Sequence, residues 1–230
     1  MSAMTLFGKC SALLAFAPFC VLALAAAAEV PHLPLAKIEN PLEGEWRSGE
    51  TVAISGDTLV LGASGTTIGA RERGGLVRIY RRDILGAWNL EQEIRSPVPE
   101  ISSFGFAVAV EGDTLAVSAI GTGNGLVAIY TRTSVAWNLA QTLQIDQAEA
   151  AFGMTLSLSG DTLLIGAPSY DYPGLADRGA AFVFVRSNGV WSQQALLQPP
   201  NTTQNGFGDT IALDGDTAVV ANPRRYARIF

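Results

Sequence analysis

Short runs of apolar residues alternate with polar ones along most of the chain, and Gly, Asp and Pro separate them. The runs 59–61 and 163–165 are apolar at every position, whereas the run 89–94 is largely polar. Continuous apolar runs are typical of strands buried on both faces, and runs that mix apolar and polar residues are typical of strands buried on one face. Helical periodicity does not occur between these runs, so the pattern predicts an all-β protein.

One string recurs four times at intervals of about 50 residues. Each copy has an alternating run, then Gly-Asp-Thr, then an apolar run. We expect the Gly to adopt positive φ as the first central residue of a type II′ turn, which joins the first two strands in a hairpin. At Asp214-Gly215 a type I′ turn is the alternative. The four copies contain Gly56-Asp57, Gly112-Asp113, Gly160-Asp161 and Gly215-Asp216.

Two further features keep the same phase as Gly-Asp-Thr. A Phe-Gly pair precedes it in three copies, while the first copy has Ser48-Gly49 at that place. A Trp follows the third strand of the first three copies, and its constant phase favours packing between units over a carbohydrate-stacking surface. These residues are Phe104-Gly105, Phe152-Gly153, Phe207-Gly208, Trp88, Trp137 and Trp191.

Four strands per unit at this period predict the blades of a β-propeller rather than a solenoid. The repeats are predicted to span approximately 42–97, 98–146, 147–200 and 201–230. The last repeat lacks a fourth strand. Residues 32–39 align with fourth strands of the other units, with His32 in the position of the Trp.

Two arrangements satisfy this pattern. In the first, residues 32–39 complete the last blade and close a ring of four blades. In the second, the chain is the front of a longer propeller that has been truncated. We favour the second arrangement, because the chain ends inside a strand and folded proteins avoid open sheet edges.

The third copy resembles the FG-GAP repeat, the unit of integrin α-subunit propellers and of many secreted bacterial proteins. Phe152-Gly153 is followed there by Gly166-Ala167-Pro168. The resemblance extends over residues 32–230 and implies a propeller, usually of seven blades, that serves extracellular recognition. It is weaker at Ser118-Ala119-Ile120 in the second copy and at Ala221-Asn222-Pro223 in the fourth.

The first 28 residues have the pattern of a secretory signal peptide. Lys9 is their only charge, an apolar stretch follows, and small residues precede Glu29. Pro18 interrupts the apolar stretch, which is marginal in length for a membrane anchor. We therefore expect cleavage near Ala28, no stable membrane insertion afterwards, and a location that is extracellular, periplasmic or at the cell surface.

Removal of the signal changes the composition of the mature chain. Both cysteines, Cys10 and Cys20, would leave with it, so no disulfide could stabilise the fold. The loss of Lys9 leaves 14 basic residues against 21 acidic ones. A mature chain that is acidic and has no basic stripe is a poor partner for nucleic acid.

Blades that resemble those of integrins often carry a calcium loop, which needs several closely spaced oxygen ligands, and here that loop would precede the third strand. Only the loop of the third unit has two acids, Asp171 and Asp177, which are the candidate calcium ligands. A calcium site takes six to eight oxygen ligands, and an ordinary solvated turn is the alternative. We expect no other cofactor. The Asp residues of Gly-Asp-Thr are predicted to be turn residues rather than a ring of ligands.

Catalysis has little support in the sequence. His32 is the only histidine, and any Ser-His-Asp arrangement would have to use it. We therefore predict a non-catalytic module whose loops recognise an extracellular protein or glycan. The alternatives are a fragment or accessory part of a larger secreted propeller enzyme, or a truncated gene product.

Overall fold

The computed structural model describes residues 48–230, except residues 71, 122, 135, 200–204 and 223–225. All described residues belong to one compact unit. The predicted signal peptide and the predicted strand at 32–39, with His32, lie outside the described residues. In the described part of the chain, no helix is long and apolar enough to cross a membrane.

The described residues form antiparallel sheets, which we call blades 1 to 4 in chain order. The strands are β1 Ser48–Ser55, β2 Thr58–Ala63, β3 Leu76–Arg82 and β4 Trp88–Arg95 in blade 1; β5 Phe104–Glu111, β6 Thr114–Ala119, β7 Leu126–Arg132 and β8 Trp137–Leu143 in blade 2; β9 Thr155–Ser159, β10 Thr162–Ala167, β11 Ala180–Ser187 and β12 Val190–Leu197 in blade 3; and β13 Thr210–Asp214, β14 Thr217–Asn222 and β15 Tyr226–Ile229 in blade 4.

This architecture confirms the predicted fold class. Within each blade, consecutive strands are neighbours, and the order runs from the first strand to the last. Blades 1, 2 and 3 have four strands, while blade 4 has three among the described residues. The first strands of successive blades lie side by side, β1 with β5, β5 with β9, and β9 with β13.

A bulge interrupts the pairing of the third and fourth strands at the same place in each complete blade. It falls between Ile79 and Tyr80 in blade 1, between Ile129 and Tyr130 in blade 2, and after Val183 in blade 3. A bulge adds one residue to one strand and increases the local twist. Its repetition shows that the fourth strand is built in the same way in all three blades.

The hydrophobic core lies between blades rather than within one of them. Three clusters of buried residues join blades 1 and 2, blades 2 and 3, and blades 3 and 4. The second strand of blade 2 is buried at every position, because a blade covers each of its faces. In blade 1, Leu59 and Leu61 of the second strand are only partly buried.

All four Gly-Asp-Thr hairpins have the same turn. The glycines Gly56, Gly112, Gly160 and Gly215 have φ between 53° and 56°, while the following Asp residues do not have positive φ. This combination fits the type II′ turn. The type I′ alternative at Asp214-Gly215 was wrong, because Asp214 pairs with Thr217 and leaves Gly215 and Asp216 as the two central residues.

Candidate recognition surface

Each Phe-Gly pair inserts between its own blade and the preceding one. Phe104, Phe152 and Phe207 are fully buried, each in a different interblade cluster. Phe152 meets Phe182 edge to face, with the ring centroids 5.4 Å apart. The Phe is therefore the central apolar contact of each described interface.

The glycine of the pair is required by its backbone and by its surroundings. Gly105 has φ of 85°, and a Cβ there would lie 2.6 Å from the carbonyl oxygen of Leu76. Gly153 has φ of 92°, and its Cβ would lie 2.8 Å from the Cβ of Ser118. Only glycine combines left-handed backbone with such a close approach at little cost.

The weaker match of the second copy to the repeat has a structural reason. In blade 3, Thr155 Oγ1 donates to the carbonyl of Gly208 at 2.9 Å, and a Cβ on Gly166 would overlap both groups. In blade 2, the place of the Thr is taken by Ala107 and the place of the Gly by Ser118. The backbone N–H of Ala107 donates to Ser118 Oγ at 2.9 Å. Both positions therefore differ in blade 2, whereas blade 4 keeps the Thr, as Thr210, opposite Ala221.

The hairpin tips are linked from blade to blade. In blades 2, 3 and 4, the N–H of the Gly at the tip donates to the side chain of the residue just before the corresponding Gly in the preceding blade. Gly112 donates to Ser55 at 3.0 Å, Gly160 to Glu111 at 2.6 Å, and Gly215 to Ser159 at 3.0 Å. The sequence did not suggest these contacts, because they join residues about one whole repeat apart.

The arginine at the end of each third strand links several predicted motif residues. Arg186 lies over the ring of Trp191, with 5.2 Å from the guanidinium carbon to the ring centroid, and its Nε donates to Asp161 at 2.6 Å. Its Nη1 donates to Thr114 of blade 2 at 2.7 Å. The Asp of Gly-Asp-Thr thus holds an arginine as well as forming a turn.

Blades 1 and 2 use parts of the same arrangement. Arg82 pairs with Asp57 and lies over Trp88. Arg132 lies over Trp137, donates to Thr58 of blade 1 at 3.2 Å, and pairs with Glu91.

The Trp residues are also held through their backbones. Gln92 donates to the carbonyl of Trp137 at 3.0 Å and accepts from its N–H at 2.8 Å. Gln141 makes the same two bonds with Trp191, at 2.7 and 2.9 Å. Trp137 and Trp191 are 2% and 3% exposed. They therefore present too little surface to stack on a sugar, in contrast to Trp88, which is half-buried.

Hydrogen bonds between its own residues hold the loop that carries the two candidate calcium ligands. Asp171 Oδ1 accepts from the N–H of Asp177 at 2.7 Å. Tyr172 and Leu175 exchange backbone bonds of 3.0 and 2.8 Å. Across the described residues, no three acidic, histidine or cysteine side chains lie close enough to share a metal ion. Calcium binding by Asp171 and Asp177 remains a prediction.

The first strands of all four blades line one cavity of about 420 Å³. Glu50 and Asp209 are its charged residues, and Glu50 accepts from Ser64 Oγ at 3.2 Å. Most of the other lining residues are apolar, among them Val52, Val108 and Leu156. Its other polar residues are three threonines, and the hydroxyls of two of them already donate to backbone carbonyls.

A groove of about 340 Å³ between blades 2 and 3 has a different lining. It combines three amides, a carboxylate and aromatic rings, and its residues are Gln144, Ile145, Asp146, Gln147, Tyr170, Phe182, Gln193 and Leu196. Tyr170 contacts Phe182 edge to face at 5.4 Å and Tyr172 at 5.2 Å. A row of rings thus connects the interblade core to the floor of the groove.

One wall of the groove is fixed by the side chain of Gln147. Its Nε2 donates to the carbonyl of Asp171 at 3.1 Å, and its Oε1 accepts from the N–H of Asp171 at 2.6 Å.

Burial, with a smaller contribution from Tyr170, raises the pKa of Tyr172 to about 12. Tyr172 is therefore neutral near pH 7, and its hydroxyl donates to Gly179 at 3.4 Å.

The groove leaves two polar side chains available to a ligand. Asp146 and Gln193 are exposed and lack protein hydrogen-bond partners among the described residues. Gln193 pairs with Phe184 across the sheet, and the residues at the same register in blades 1 and 2 are Leu90 and Leu139. This substitution in blade 3 is the sequence signal by which the groove could have been found.

Residues 146–184 match the family of the FG-GAP repeat. The chain contains an FG-GAP repeat. The match begins in the groove, covers Phe152-Gly153 and the hairpin of Gly160, and ends in β11. The resemblance stated for the third copy is thus confirmed, and the other sheets repeat its strand order. No curated protein matches the chain.

Proposed function

We propose that this FG-GAP repeat module is exported and binds an extracellular oligosaccharide, without catalysis, in the groove between blades 2 and 3. The observation that carries the proposal is the lining of the groove. Asp146 and Gln193 offer one acceptor group and one donor–acceptor amide beside an aromatic floor. Sugars present hydroxyl groups that donate and accept, together with C–H faces that pack against rings.

Rigidity of the groove supports the same proposal. Gln147 ties the loop of Asp171 to the segment after β8, and the Tyr170–Phe182 contact joins the floor to the core between two blades. A site whose walls are fixed before binding loses less conformational entropy when the ligand arrives. The groove is also concave and partly apolar, as small-molecule sites usually are.

Binding is tested by titrating the full chain with a panel of oligosaccharides and measuring heat. Gln193→Ala and Asp146→Ala are each expected to weaken binding by roughly tenfold, the effect of losing one good hydrogen bond. Gln194→Ala is the matched control, because Gln194 is the exposed neighbour that does not line the groove. Equal affinity of all three variants would contradict the proposed site.

Export and lack of catalysis have their own tests. Mass spectrometry of the secreted product is expected to place its N-terminus at Glu29, and retention of Lys9 would contradict a cleaved signal. A screen against glycosidase and esterase substrates is expected to show no turnover. Turnover that disappears in His32→Ala would favour the alternative, a part of a secreted propeller enzyme.

A further inference from the structure

The first strands of blades 2, 3 and 4 each present two apolar residues to the preceding blade. These residues belong to the interblade clusters and are Val108 and Val110, Leu156 and Leu158, and Ile211 and Leu213. The corresponding residues of blade 1 are Val52 and Ile54, and each is 63% exposed. The inner strand of blade 1 therefore has the apolar residues of an interface without the cover that the other blades receive.

Blade 4 shows the opposite half of such an interface. Val219 pairs with Ile229 in blade 4 as Val60 pairs with Ile79 in blade 1. Ile79 is fully buried under blade 2, whereas Ile229 is 74% exposed. The side of blade 4 that corresponds to the covered side of blade 1 is thus open at its outer described strand.

For the hydrogen bond between hairpin tips, the two ends also carry a donor on blade 1 and an acceptor on blade 4. At the hairpin tips, the Gly N–H of one blade donates to the side chain before the Gly of the preceding blade. The N–H of Gly56 has no acceptor among the described residues, and the exposed carboxylate of Asp214 has no donor there. A carboxylate already fills this role in blade 2, where Glu111 accepts from Gly160.

For the contact between arginine and threonine, the donor likewise lies on blade 1 and the acceptor on blade 4. Arg132 and Arg186 each donate to the Thr of the preceding blade. Arg82 of blade 1 uses Nε and Nη2 for Asp57, and its side chain is 47% exposed against 12% for Arg132. The exposed Thr217 of blade 4 is the residue that corresponds to the acceptors Thr58 and Thr114.

We propose that two copies of this chain associate head to tail, with blade 4 of one copy packed against blade 1 of another. The two ends carry complementary parts of the contact set, which are Ile229, Asp214 and Thr217 on blade 4, and Val52, Ile54, Gly56 and Arg82 on blade 1. Blade 1 has Ser48 in place of the Phe of the other interfaces. The contact is confined to the inner strand, the hairpin tip and Arg82 of blade 1, because Leu76 and Tyr80 of the same blade are already buried.

The test uses variants that break one end at a time, studied in the full chain by sedimentation velocity over a range of concentrations. Wild type is expected to associate. V52E/I54E alters blade 1, I229E alters blade 4, and either change alone is expected to weaken association by about 30-fold or more, as for the loss of a central interface residue. I84E is the matched control, since Ile84 is an exposed apolar residue outside both faces.

Mixing the two altered proteins distinguishes this arrangement from general apolar aggregation. V52E/I54E keeps an intact blade 4 and I229E keeps an intact blade 1, so their mixture is expected to form a 1:1 complex that neither forms alone. Circular dichroism of each variant checks that it remains folded. The proposal is overturned if wild type is monomeric at about 100 μM, a concentration that would reveal even a weak contact, or if the mixture fails to associate while wild type does. Closure of one copy on itself would give the first of these results.

Discussion

The two interfaces of blade 2 are built differently from the interface between blades 3 and 4. Both have a Gln that holds the backbone of a Trp in the next blade, and an Arg that reaches back to a Thr. In blade 3 the residue paired with Val183 is Ala195, where blades 1 and 2 pair Ile79 with Gln92 and Ile129 with Gln141. Blade 4, as described, has no fourth strand to supply a Trp.

The difference shows that neighbouring blades are held together by two separate groups of contacts. The contacts near the first strands are present at every interface, because they use the Phe, the hairpin tip and the first strand. The contacts near the fourth strands need a partner strand in the next blade and occur only where that strand is present. Removal of a Phe should therefore cost most where both groups of contacts surround it.

The largest expected effect comes from truncating that Phe at two interfaces. Phe152→Ala should lower the free energy of unfolding by about 5 kcal/mol and Phe207→Ala by about 3 kcal/mol, within the usual range for Phe to Ala. Both side chains are fully buried, but Phe152 lies between two four-stranded blades. Urea unfolding measures both values, and a greater loss for Phe207→Ala would contradict the comparison.

The next largest loss of stability is expected at the two contacting positions in which blade 3 differs from blade 2. Gly166→Ser should destabilise the protein by about 3 kcal/mol, because the Cβ of the new serine would overlap Thr155 and Gly208. Adding Thr155→Ala reproduces the pair found in blade 2 and should restore about half of the loss. Thermal melts of the single and double variants test this coupling, and strict additivity would show that the two positions are independent.

A pH dependence is expected from Tyr130, which packs at the interface of blades 1 and 2. Burial raises its pKa to about 12, above the ordinary value of about 10 for tyrosine. Because the folded form keeps the proton more tightly, the contribution to stability is complete below pH 10 and is lost as the pH rises toward 12. At pH 11 the loss is about 1.4 kcal/mol.

The variant that isolates this effect is Tyr130→Phe, since Phe184 holds the corresponding position in blade 3. Urea unfolding at pH 9 and pH 11 is expected to show a smaller decrease for the variant than for wild type. An identical decrease in both proteins would assign the pH dependence to other groups.

The smallest expected effect is for Gln141, whose contact with Trp191 distinguishes the interface of blades 2 and 3 from that of blades 3 and 4. Gln141→Ala should cost about 1 kcal/mol, because the N–H and carbonyl of Trp191 lose their partner. Gln194→Ala, at an exposed position of the next blade, should change stability by less than about 0.5 kcal/mol. Equal effects of the two changes would remove the Gln contact from the account.

Much of the fold could be predicted from the sequence because its signals are local. Gly-Asp-Thr specifies a hairpin through the positive φ of one Gly, and Phe-Gly keeps a fixed distance from it. The contacts of Gln141 and Arg186 could not be predicted in this way. They join residues 50 and 72 positions apart and depend on the register of two blades.

The groove was missed for a related reason. Its residues come from the end of blade 2 and from three separate parts of blade 3, so no short motif contains them. The candidate calcium ligands illustrate the opposite case. Asp171 and Asp177 lie near each other in sequence, but Asp171 accepts a bond from the backbone of Asp177 and so helps to shape the loop.

Hydrogen exchange of the full chain, with and without a bound oligosaccharide, measures whether the groove between blades 2 and 3 holds the ligand. We expect protection at residues 144–147, 170–172 and 193–196, with unchanged exchange at the hairpin tips. Protection confined to the residues around the inner cavity, such as Val52 and Val108, would contradict the account.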